Sequence, residues 1–281
     1  MRNILDIFSD KKILIYGLGK TGISTFNFLK KKCKVFLFDD IKKNLRLSKY
    51  KFILKSNFDY IIISPGIDIN NCKLSKFLKK NSSKIYSDLD IFYSFYKNDC
   101  ITITGTNGKS TVCQILYEVL RKHKRDVKLV GNIGNPILSV KKIKPKTIFV
   151  IEASSYQLEY SKIFKSKYGV ILNITPDHIE RHKTINKYVK AKFKLLKQQS
   201  NKSFGFVKNS DPLIKKELKN RKFDSKIIKV RPIKINKVIK KLGNSYFFTE
   251  ENKENLSFVL AISRKLKLKN NLIFTTIKKY K

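Results

Sequence analysis

Tryptophan is absent from this chain of 281 residues, which also has only one methionine, three histidines and four cysteines. The cysteines, at positions 33, 72, 100 and 113, lack the paired spacing of a metal site, so we expect reduced thiols in a cytoplasmic protein. No apolar run approaches the roughly 20 residues that cross a bilayer, which predicts no membrane insertion. The first ten residues carry acids within their apolar part and lack a small-residue cleavage site, so we expect no signal peptide.

Acidic residues are scarce, since 21 Asp and Glu stand against 62 Lys and Arg, for a net charge of +41. Such a charge would suit a nucleic-acid-binding protein. The lysines are instead spread along the whole chain and accompany abundant Ile, Asn, Phe and Tyr, which is typical of AT-rich codon usage. We therefore expect solvated surface lysines and no specific nucleic-acid partner, with incidental affinity for RNA or anionic surfaces at low salt.

Predicted strands and helices alternate along the chain, a pattern typical of parallel sheets with crossover connections. Strands are predicted at Lys12–Tyr16, 35–38, Tyr60–Ile63, Cys100–Thr104, 147–151, 168–172 and 204–207, with short β-like pieces between 226 and 248. Helices are predicted at 23–32, from about 87, at Lys109–Lys122, 186–198, 252–266 and Asn270–Lys279. We predict an α/β protein with an N-terminal Rossmann-like parallel-sheet domain at residues 1–93, followed by a central P-loop ATPase-type α/β domain at 94–281.

The most informative segment joins the strand ending at Thr104 to the helix beginning at Lys109. Backbone N–H groups of a glycine turn at a helix N-terminus bind phosphate. Lys109 can neutralise the β- and γ-phosphate oxygens, and the Ser110 hydroxyl can reach Mg²⁺. The loop is shorter than a full P-loop, which has glycine where Ile103 stands, and the alternative is a turn that only reverses the chain. The segment predicts an ATP site formed by Gly105, Thr106, Asn107, Gly108, Lys109, Ser110 and Thr111.

A second glycine pattern, Gly17-x-Gly19-x-x-Gly22, follows the first strand, and Asp39 ends the next one. This arrangement is typical of dinucleotide sites, where a helix N-terminus takes the pyrophosphate and a carboxylate takes a ribose hydroxyl. A plain structural turn is the alternative. Because the chain also has the ATP loop, the two patterns together indicate one nucleotide-diphosphate substrate and one nucleoside triphosphate. Ser64-Pro-Gly66 ends a strand at the edge where α/β sheets bind ligands.

Several candidate metal ligands also follow strands. Glu152 is placed to hold a metal that bridges phosphates, although it could instead form a salt bridge beside a helix capped by Ser154 or Ser155. His178 stands with Asp177 past another strand, whereas His123 is expected on the surface and His182 has a weaker claim to function. Lys192 alone predicts a solvated lysine, because an ammonium cannot bind Mg²⁺.

Six segments together resemble the Mur ligases of peptidoglycan synthesis over nearly the whole chain. In order they are Gly-Leu-Gly-Lys-Thr-Gly at 17–22, Ser-Pro-Gly-Ile at 64–67, Thr-Gly-Thr-Asn-Gly-Lys-Ser-Thr at 104–111, Gly-Asn-Ile-Gly at 131–134, Glu-Ala-Ser-Ser-Tyr-Gln-Leu-Glu at 152–159 and Asn-Ile-Thr-Pro-Asp-His at 173–178. The Ser-Pro-Gly and Glu-x-Ser-Ser-Tyr-Gln-Leu segments favour the branch that adds D-glutamate, over its siblings and over folylpolyglutamate synthases.

The resemblance implies an enzyme that uses ATP and Mg²⁺. UDP-N-acetylmuramoyl-L-alanine would be activated as an acyl phosphate and then joined to D-glutamate. The implied UDP-sugar contacts are Thr21, Asp39, Ser64, Gly66, Asn132, Ser154 and Gln157. The implied catalytic residues are Lys109, His178 and Lys192, and the implied metal ligands are Ser110, Glu152, His178 and Lys192 as its carbamate. The Tyr-x-x-Ala-Lys register assigns the carbamate to Lys192 rather than to Lys190 or Lys194.

The sequence departs from the family in two places. The family's adenine segment Gly-x-His-Asn-x-x-Asn reads Thr-Glu-Glu-Asn-Lys-Glu-Asn at 249–255, so only Asn252 and Asn255 are kept as ATP contacts. The family's third domain, which closes over ATP and holds the amino acid, is expected to be absent from this chain. We expect a monomer that is a truncated product, a fragment, or one part of an enzyme whose third domain is a separate chain.

Three other functions compete with a ligase. A remnant could bind UDP-sugar and ATP without turnover. The net charge would suit a nucleic-acid-stimulated ATPase. A nicotinamide oxidoreductase would explain the first glycine loop but leaves the second loop unexplained.

Overall fold

The computed structural model describes residues 6–42, 47–232 and 243–280, and it contains two parallel sheets. The first has the order β2-β1-β3-β4. Its strands are β1 (Lys12–Tyr16), β2 (Lys34–Phe38), β3 (Tyr60–Ile63) and β4 (Ile85–Tyr86). Because Tyr16 pairs with both Phe38 and Ile63, the residues that follow these three strands emerge side by side at one edge. The register therefore brings Gly17, Asp39 and Ser64 together.

Helix α1 (Lys20–Leu29) follows β1 and begins three residues earlier than predicted. It begins there because Gly19, in extended conformation, caps it, while Gly22 lies in the first turn against Gly17. Two further short helices, α2 (Tyr50–Lys55) and α3 (Ser75–Lys80), cross between strands of this sheet. The sequence did not predict them, since six residues are too few to show a helical period.

The second sheet has six parallel strands in the order β10-β9-β8-β5-β7-β6. They are β5 (Cys100–Thr104), β6 (Val127–Gly131), β7 (Ile148–Glu152), β8 (Tyr168–Ile171), β9 (Phe204–Lys208) and β10 (Lys226–Val230). Glu152 pairs with both Ile103 and Gly131, so the carboxyl end of β7 lies level with those of its two neighbours. The α/β class with parallel sheets is confirmed.

Helices cover the second sheet and connect it to the first. In chain order they are α4 (Asp88–Phe95), α5 (Lys109–Lys122), α6 (Ser155–Tyr160), α7 (Ile179–His182), α8 (Ile185–Lys197), α9 (Pro212–Asn220), α10 (Glu250–Lys265) and α11 (Asn270–Lys279). The predicted β-like stretch is only partly confirmed, because Ser245–Phe248 forms a 3₁₀ turn after β10. The rest of that stretch, residues 233–242, lies outside the described residues. Within the described ranges, no helix is long and apolar enough to cross a membrane.

Helix α4 joins the two sheets. Ser87 and Asp90 form a capping box at its start, and the Phe92 ring packs on the Phe149 ring of β7 with centroids 4.7 Å apart. Asp90 is fully buried, and its Oδ1 accepts the N–H groups of Lys162, Ile163 and Phe164. These bonds satisfy a buried carboxylate and fix α4 to the loop that leads into β8. The predicted domain boundary at residue 93 falls within this helix and stays a prediction.

Candidate active site

The segment after β5, residues 105–111, forms a tight loop and the first turn of α5, and we call it the phosphate loop. Gly108 caps α5 with a φ of +80°, a left-handed conformation that favours glycine. A Cβ at this position would lie 2.1 Å from Asn255 Oδ1, so a side chain would collide with α10. The loop therefore needs glycine for its conformation and for its contact with Asn255. The same contact brings a predicted adenine residue beside the predicted phosphate loop.

Two lysines converge on the carbonyl groups of this loop. Lys109 Nζ donates to Gly105 O at 3.1 Å and to Thr106 O at 2.7 Å. Lys192 Nζ donates to the same Gly105 O at 2.8 Å, from a side chain buried to 2% exposure. Burial, reinforced by the Lys109 charge, lowers the pKa of Lys192 to about 7, against the opposing charge of Asp177. The solvated lysine expected from the residues alone is wrong, because Lys192 lies on the buried face of α8.

Asn173 holds the phosphate loop from the end of β8. Its side-chain Oδ1 accepts the N–H of Thr106 at 3.1 Å and that of Asn107 at 2.9 Å. Thr175 N–H donates to Thr106 Oγ1 at 3.1 Å, which adds a second attachment. The sequence placed Asn173 in a family segment but gave it no role. Its position directly after a buried strand was the available signal.

Ser110 and Glu152 are brought together across the β5–β7 pair. Ser110 Oγ donates to Glu152 Oε2 at 2.8 Å, and Glu152 is buried to 5% exposure. Carboxylate and hydroxyl oxygens are ligands that Mg²⁺ accepts, so this pair fits a metal beside the phosphate loop. In the described part of the chain, no group of three or more His, Cys, Asp or Glu side chains could hold a metal. A full ligand set here would need a further oxygen donor such as a carbamate.

His178 lies at the same edge, where it begins α7. It has a φ of +55°, is about half exposed, and has its Nε2 3.4 Å from Asp177 Oδ2. Its ring centroid is 5.1 Å from that of Tyr156 and 6.4 Å from that of Tyr188, which flanks Lys192 on α8. His178 is therefore near the buried lysine and open to a ligand.

The other two histidines have structural contacts. His182 is buried, and its Nε2 lies 2.9 Å from Ser155 Oγ. Its Nδ1 lies 3.6 Å from Glu159 Oε2, too far for a hydrogen bond, and burial with the charges of Arg181 and Lys192 lowers the pKa of His182 to about 4. His182 is thus neutral at pH 7. His123 joins α5 to the start of α11 by accepting Lys269 N–H at 2.9 Å, rather than lying free on the surface.

The first sheet carries a cleft of about 530 Å³, which we call the first cleft. Thr21, Asp39, Ser64, Gly66 and Asn132, all predicted UDP-sugar contacts, are among its lining residues. Ser64 Oγ donates to Gly17 O at 2.6 Å, which fixes the glycine loop to the end of β3. A Cβ at Gly22 would lie 1.8 Å from Gly17 O, so only glycine allows α1 to approach this loop.

Asp39 braces the glycine loop. Its Oδ2 accepts Leu18 N–H at 2.6 Å, and its Oδ1 accepts the N–H groups of Ile41 and Lys42 at 2.9 and 2.8 Å. Burial alone would raise the pKa of Asp39, but the bonds from Lys42, Leu18 and Ile41 outweigh it and lower that pKa. The carboxylate therefore stays charged at the mouth of the cleft.

Asn132 connects the two regions. It lines the first cleft, and its N–H donates to Glu152 O at 3.1 Å. Gly131 has a φ of +108°, and a Cβ there would lie 2.2 Å from that same carbonyl. The loop after β6 therefore contacts both the first cleft and Glu152, the residue that bonds Ser110. Residues predicted for the two anion sites are thus connected through Asn132 and Glu152.

The remaining predicted site residues are held by protein contacts. Ser154 caps α6, and its partner Gln157 is buried and donates to the Asp88 carboxylate at 3.1 and 3.2 Å. Ser154 therefore has the capping role that the sequence offered as an alternative, and Glu152 is also bonded to Ser110. Thr111 Oγ1 lies 3.2 Å from Tyr246 OH, while Asn252 Nδ2 donates to Tyr246 O at 2.8 Å. Ligand contacts of these four residues, like those of the other predicted site residues, stay predictions.

Comparison with known proteins shows the family of this chain. Residues 103–273 match the Mur ligase middle domain. The chain is 34% identical over 272 residues to the UDP-N-acetylmuramoylalanine--D-glutamate ligase of Rickettsia felis, covering 93% of this chain and 60% of that relative. The chain thus spans about 60% of the length of this relative and of two further relatives that carry the same name.

Two ligases are examples of the solved structures that share this fold. The UDP-N-acetylmuramate:L-alanyl-gamma-D-glutamyl-meso-diaminopimelate ligase from Neisseria meningitides has a TM-score of 0.62 at 14% identity, covering 96% of this chain and 98% of that one. The MurF ligase from Thermotoga maritima, in complex with ADP, has a TM-score of 0.52 at 15% identity, covering 98% and 64%. These identities support the fold alone, whereas the domain match extends over most of the chain. This chain belongs to the Mur ligase family.

Proposed function

We propose that this chain carries the nucleotide-sugar and ATP sites of a ligase that adds D-glutamate to UDP-N-acetylmuramoyl-L-alanine in peptidoglycan synthesis. The names of the relatives suggest the substrates. The main support is a continuous contact path in which Ser110 donates to the Glu152 side chain and Asn132 donates to the Glu152 backbone. Both contacts end on Glu152, so this one residue connects the phosphate loop to the first cleft. Two substrates held on these sites would meet beside Glu152.

The chemistry we propose is phosphoryl transfer followed by amide formation. A carboxylate oxygen of the L-alanyl group attacks the γ-phosphorus of ATP, so ADP leaves and an acyl phosphate forms. The amine of D-glutamate then attacks the carbonyl carbon, and phosphate leaves. The protein takes little part in the covalent chemistry, so its role is to position the reactants and stabilise charge.

The residues divide this work between the two sites. The N-terminus of α1, with Thr21, Ser64 and Gly66, would hold the diphosphate of the nucleotide-sugar, while the loop at 105–111 would hold ATP. Lys109 would leave its two loop carbonyls and neutralise charge on the transferred phosphoryl group. Bound Mg²⁺ would screen the phosphate charges. The residues that would hold it are Ser110, Glu152, His178 and Lys192 as its carbamate.

Carbamylation of Lys192 is testable. A pKa of about 7 leaves much of the amine neutral near that pH. Its nitrogen lone pair can form a bond to the carbon of CO₂, one C=O electron pair moves to oxygen, and the nitrogen loses a proton to water. With ¹³C-bicarbonate we expect one carbamate resonance near neutral pH that weakens below pH 7, because the ammonium has no lone pair.

Lys192→Met should abolish this resonance, and Lys190→Met is the matched control because Lys190 is an exposed lysine on the same helix. A resonance that persists in Lys192→Met and disappears in Lys190→Met would contradict the assignment.

The ligase reaction itself is tested with nucleotide-sugar labelled with ¹⁸O in its carboxylate. Incubation with ATP, Mg²⁺ and D-glutamate should release phosphate carrying one ¹⁸O atom, since the acyl oxygen leaves with the phosphate. Release of unlabelled phosphate would indicate hydrolysis by water and contradict the proposal. Tight binding of both nucleotides without any phosphate release would favour the non-catalytic remnant.

A further inference from the structure

A short segment, residues 173–181, runs from the phosphate loop to the first cleft, and we call it the linking segment. At its first end, Asn173 accepts the N–H groups of Thr106 and Asn107. Thr106 Oγ1 also lies 3.2 Å from Thr175 O and accepts Thr175 N–H at 3.1 Å. The conformation of the phosphate loop and that of the linking segment are therefore fixed to each other.

At its other end, Arg181 reaches the first sheet. One guanidinium nitrogen, Nη1, donates to Pro65 O, and the other, Nη2, donates to Ile67 O. The guanidinium carbon lies 3.7 Å from the ring centroid of Tyr156, which supports it from α6. The planar guanidinium donates to two carbonyl groups at once. A lysine, with a single charged nitrogen, cannot reproduce this geometry.

The loop that Arg181 grips forms one wall of the cleft. Residues 64–67 pack on the glycine loop, because Ser64 Oγ donates to Gly17 O and a Cβ at Gly17 would lie 2.8 Å from Ile67 Cγ1. Arg181 therefore holds a wall that is itself packed on the glycine loop.

The linking segment is held in an unusual backbone conformation near Arg181. His178 has a φ of +55°, and Lys183, just beyond the segment, has a φ of +68°. Such angles are uncommon for residues other than glycine and persist where the surroundings impose them. The short helix between them is thus positioned by its contacts, of which those of Arg181 with the first sheet are one set.

We propose that Arg181 is a positioning residue that couples the two sites. A nucleoside triphosphate bound to the phosphate loop restricts the motion of the linking segment. Arg181 transmits this restriction to residues 64–67 through its two hydrogen bonds. The triphosphate thereby raises the affinity of the first cleft for a nucleotide-diphosphate sugar, and the sugar raises the affinity for the triphosphate by the same factor. This inference rests on the proposed function, since it uses the two ligands assigned there.

Calorimetry with UDP-N-acetylmuramoyl-L-alanine, with and without a non-hydrolysable ATP analogue, measures the coupling. In the unaltered chain we expect the analogue to raise sugar affinity at least about fivefold, the lower end of typical coupling factors. Arg181→Met should reduce that factor to about one, and Arg181→Lys should leave an intermediate value. The matched control is Arg221→Met, which removes the same charge from the end of α9, where Arg221 pairs with Glu217.

Two outcomes would overturn the coupling. One is an unaltered chain in which the analogue does not change sugar affinity. The other is an Arg181→Met variant that loses sugar affinity equally with and without the analogue, which would mean a merely structural role.

Hydrogen exchange separates failure of this inference from failure of the proposed function. The ATP analogue alone should increase protection of the amides of Ser64, Gly66 and Ile67 in the unaltered chain and not in Arg181→Met. If the chain binds no nucleotide-sugar, the proposed function is wrong, while this readout still decides whether Arg181 connects the phosphate loop to the cleft wall. Unchanged protection in the unaltered chain would contradict the connection.

Discussion

Replacing Lys109 with alanine is expected to lower ATP turnover about 10²–10³-fold, the cost of removing a positioned charge from a phosphoryl-transfer site. Lys109 is the first residue of α5, and its ammonium already lies on the loop carbonyls of Gly105 and Thr106. It makes no described contact with the first cleft. Binding of the nucleotide-sugar, measured without ATP, should therefore stay within about twofold of the unaltered chain, well below a tenfold change.

Lys122→Ala is the matched control, because it removes an exposed lysine from the opposite end of the same helix. It should leave both ligands unaffected. Equal loss of ATP turnover and of nucleotide-sugar binding in Lys109→Ala would contradict two separate sites. Calorimetric titration with an ATP analogue gives the same comparison if turnover is slow.

The second large effect is expected at Gly22, where alanine should destabilise the first sheet and abolish nucleotide-sugar binding. Its Cβ would lie 1.8 Å from Gly17 O, so α1 would have to move away from β1. Overpacking of this kind costs about 1–3 kcal/mol and occasionally more. The melting temperature should therefore fall by roughly 2–12 °C, at about 2–4 °C per kcal/mol.

Gly19→Ala provides the matched comparison in the same loop. A Cβ there meets nothing within 4 Å, and Gly19 has an ordinary φ of −67°. The free energy of unfolding of Gly19→Ala should therefore differ from that of the unaltered chain by less than about 0.5 kcal/mol. ATP binding should survive in both variants. Similar melting temperatures for the two alanine variants would contradict the close approach of α1 to the glycine loop.

The sequence predicted the elements that carry strong local signals. Cys100–Thr104, Lys109–Lys122 and Tyr60–Ile63 have the bounds expected from their apolar runs and glycine turns. Strand β6 was not predicted, because Lys128 interrupts its apolar residues and its burial depends on pairing with β7. Pairing partners far apart in sequence leave no local pattern.

Side-chain environments were harder to predict than elements. Nothing local distinguishes buried Lys192 from exposed Lys190, two residues away on the same helix. The difference arises from the direction in which α8 faces the phosphate loop, which tertiary packing decides. Arg181 likewise acts on carbonyl groups more than a hundred residues earlier in the chain. The family resemblance, not the residues alone, singled out Lys192.

A crystal structure with a non-hydrolysable ATP analogue, Mg²⁺ and UDP-N-acetylmuramoyl-L-alanine tests most directly whether the two sites serve one reaction. We expect the diphosphate at the N-terminus of α1 beside Ser64 and the triphosphate on the loop at 105–111. The L-alanyl carboxylate and the γ-phosphate should face each other beside Glu152 and Asn132. A nucleotide-sugar bound outside the first cleft, or one whose carboxylate points away from the phosphate loop, would contradict the proposed ligase.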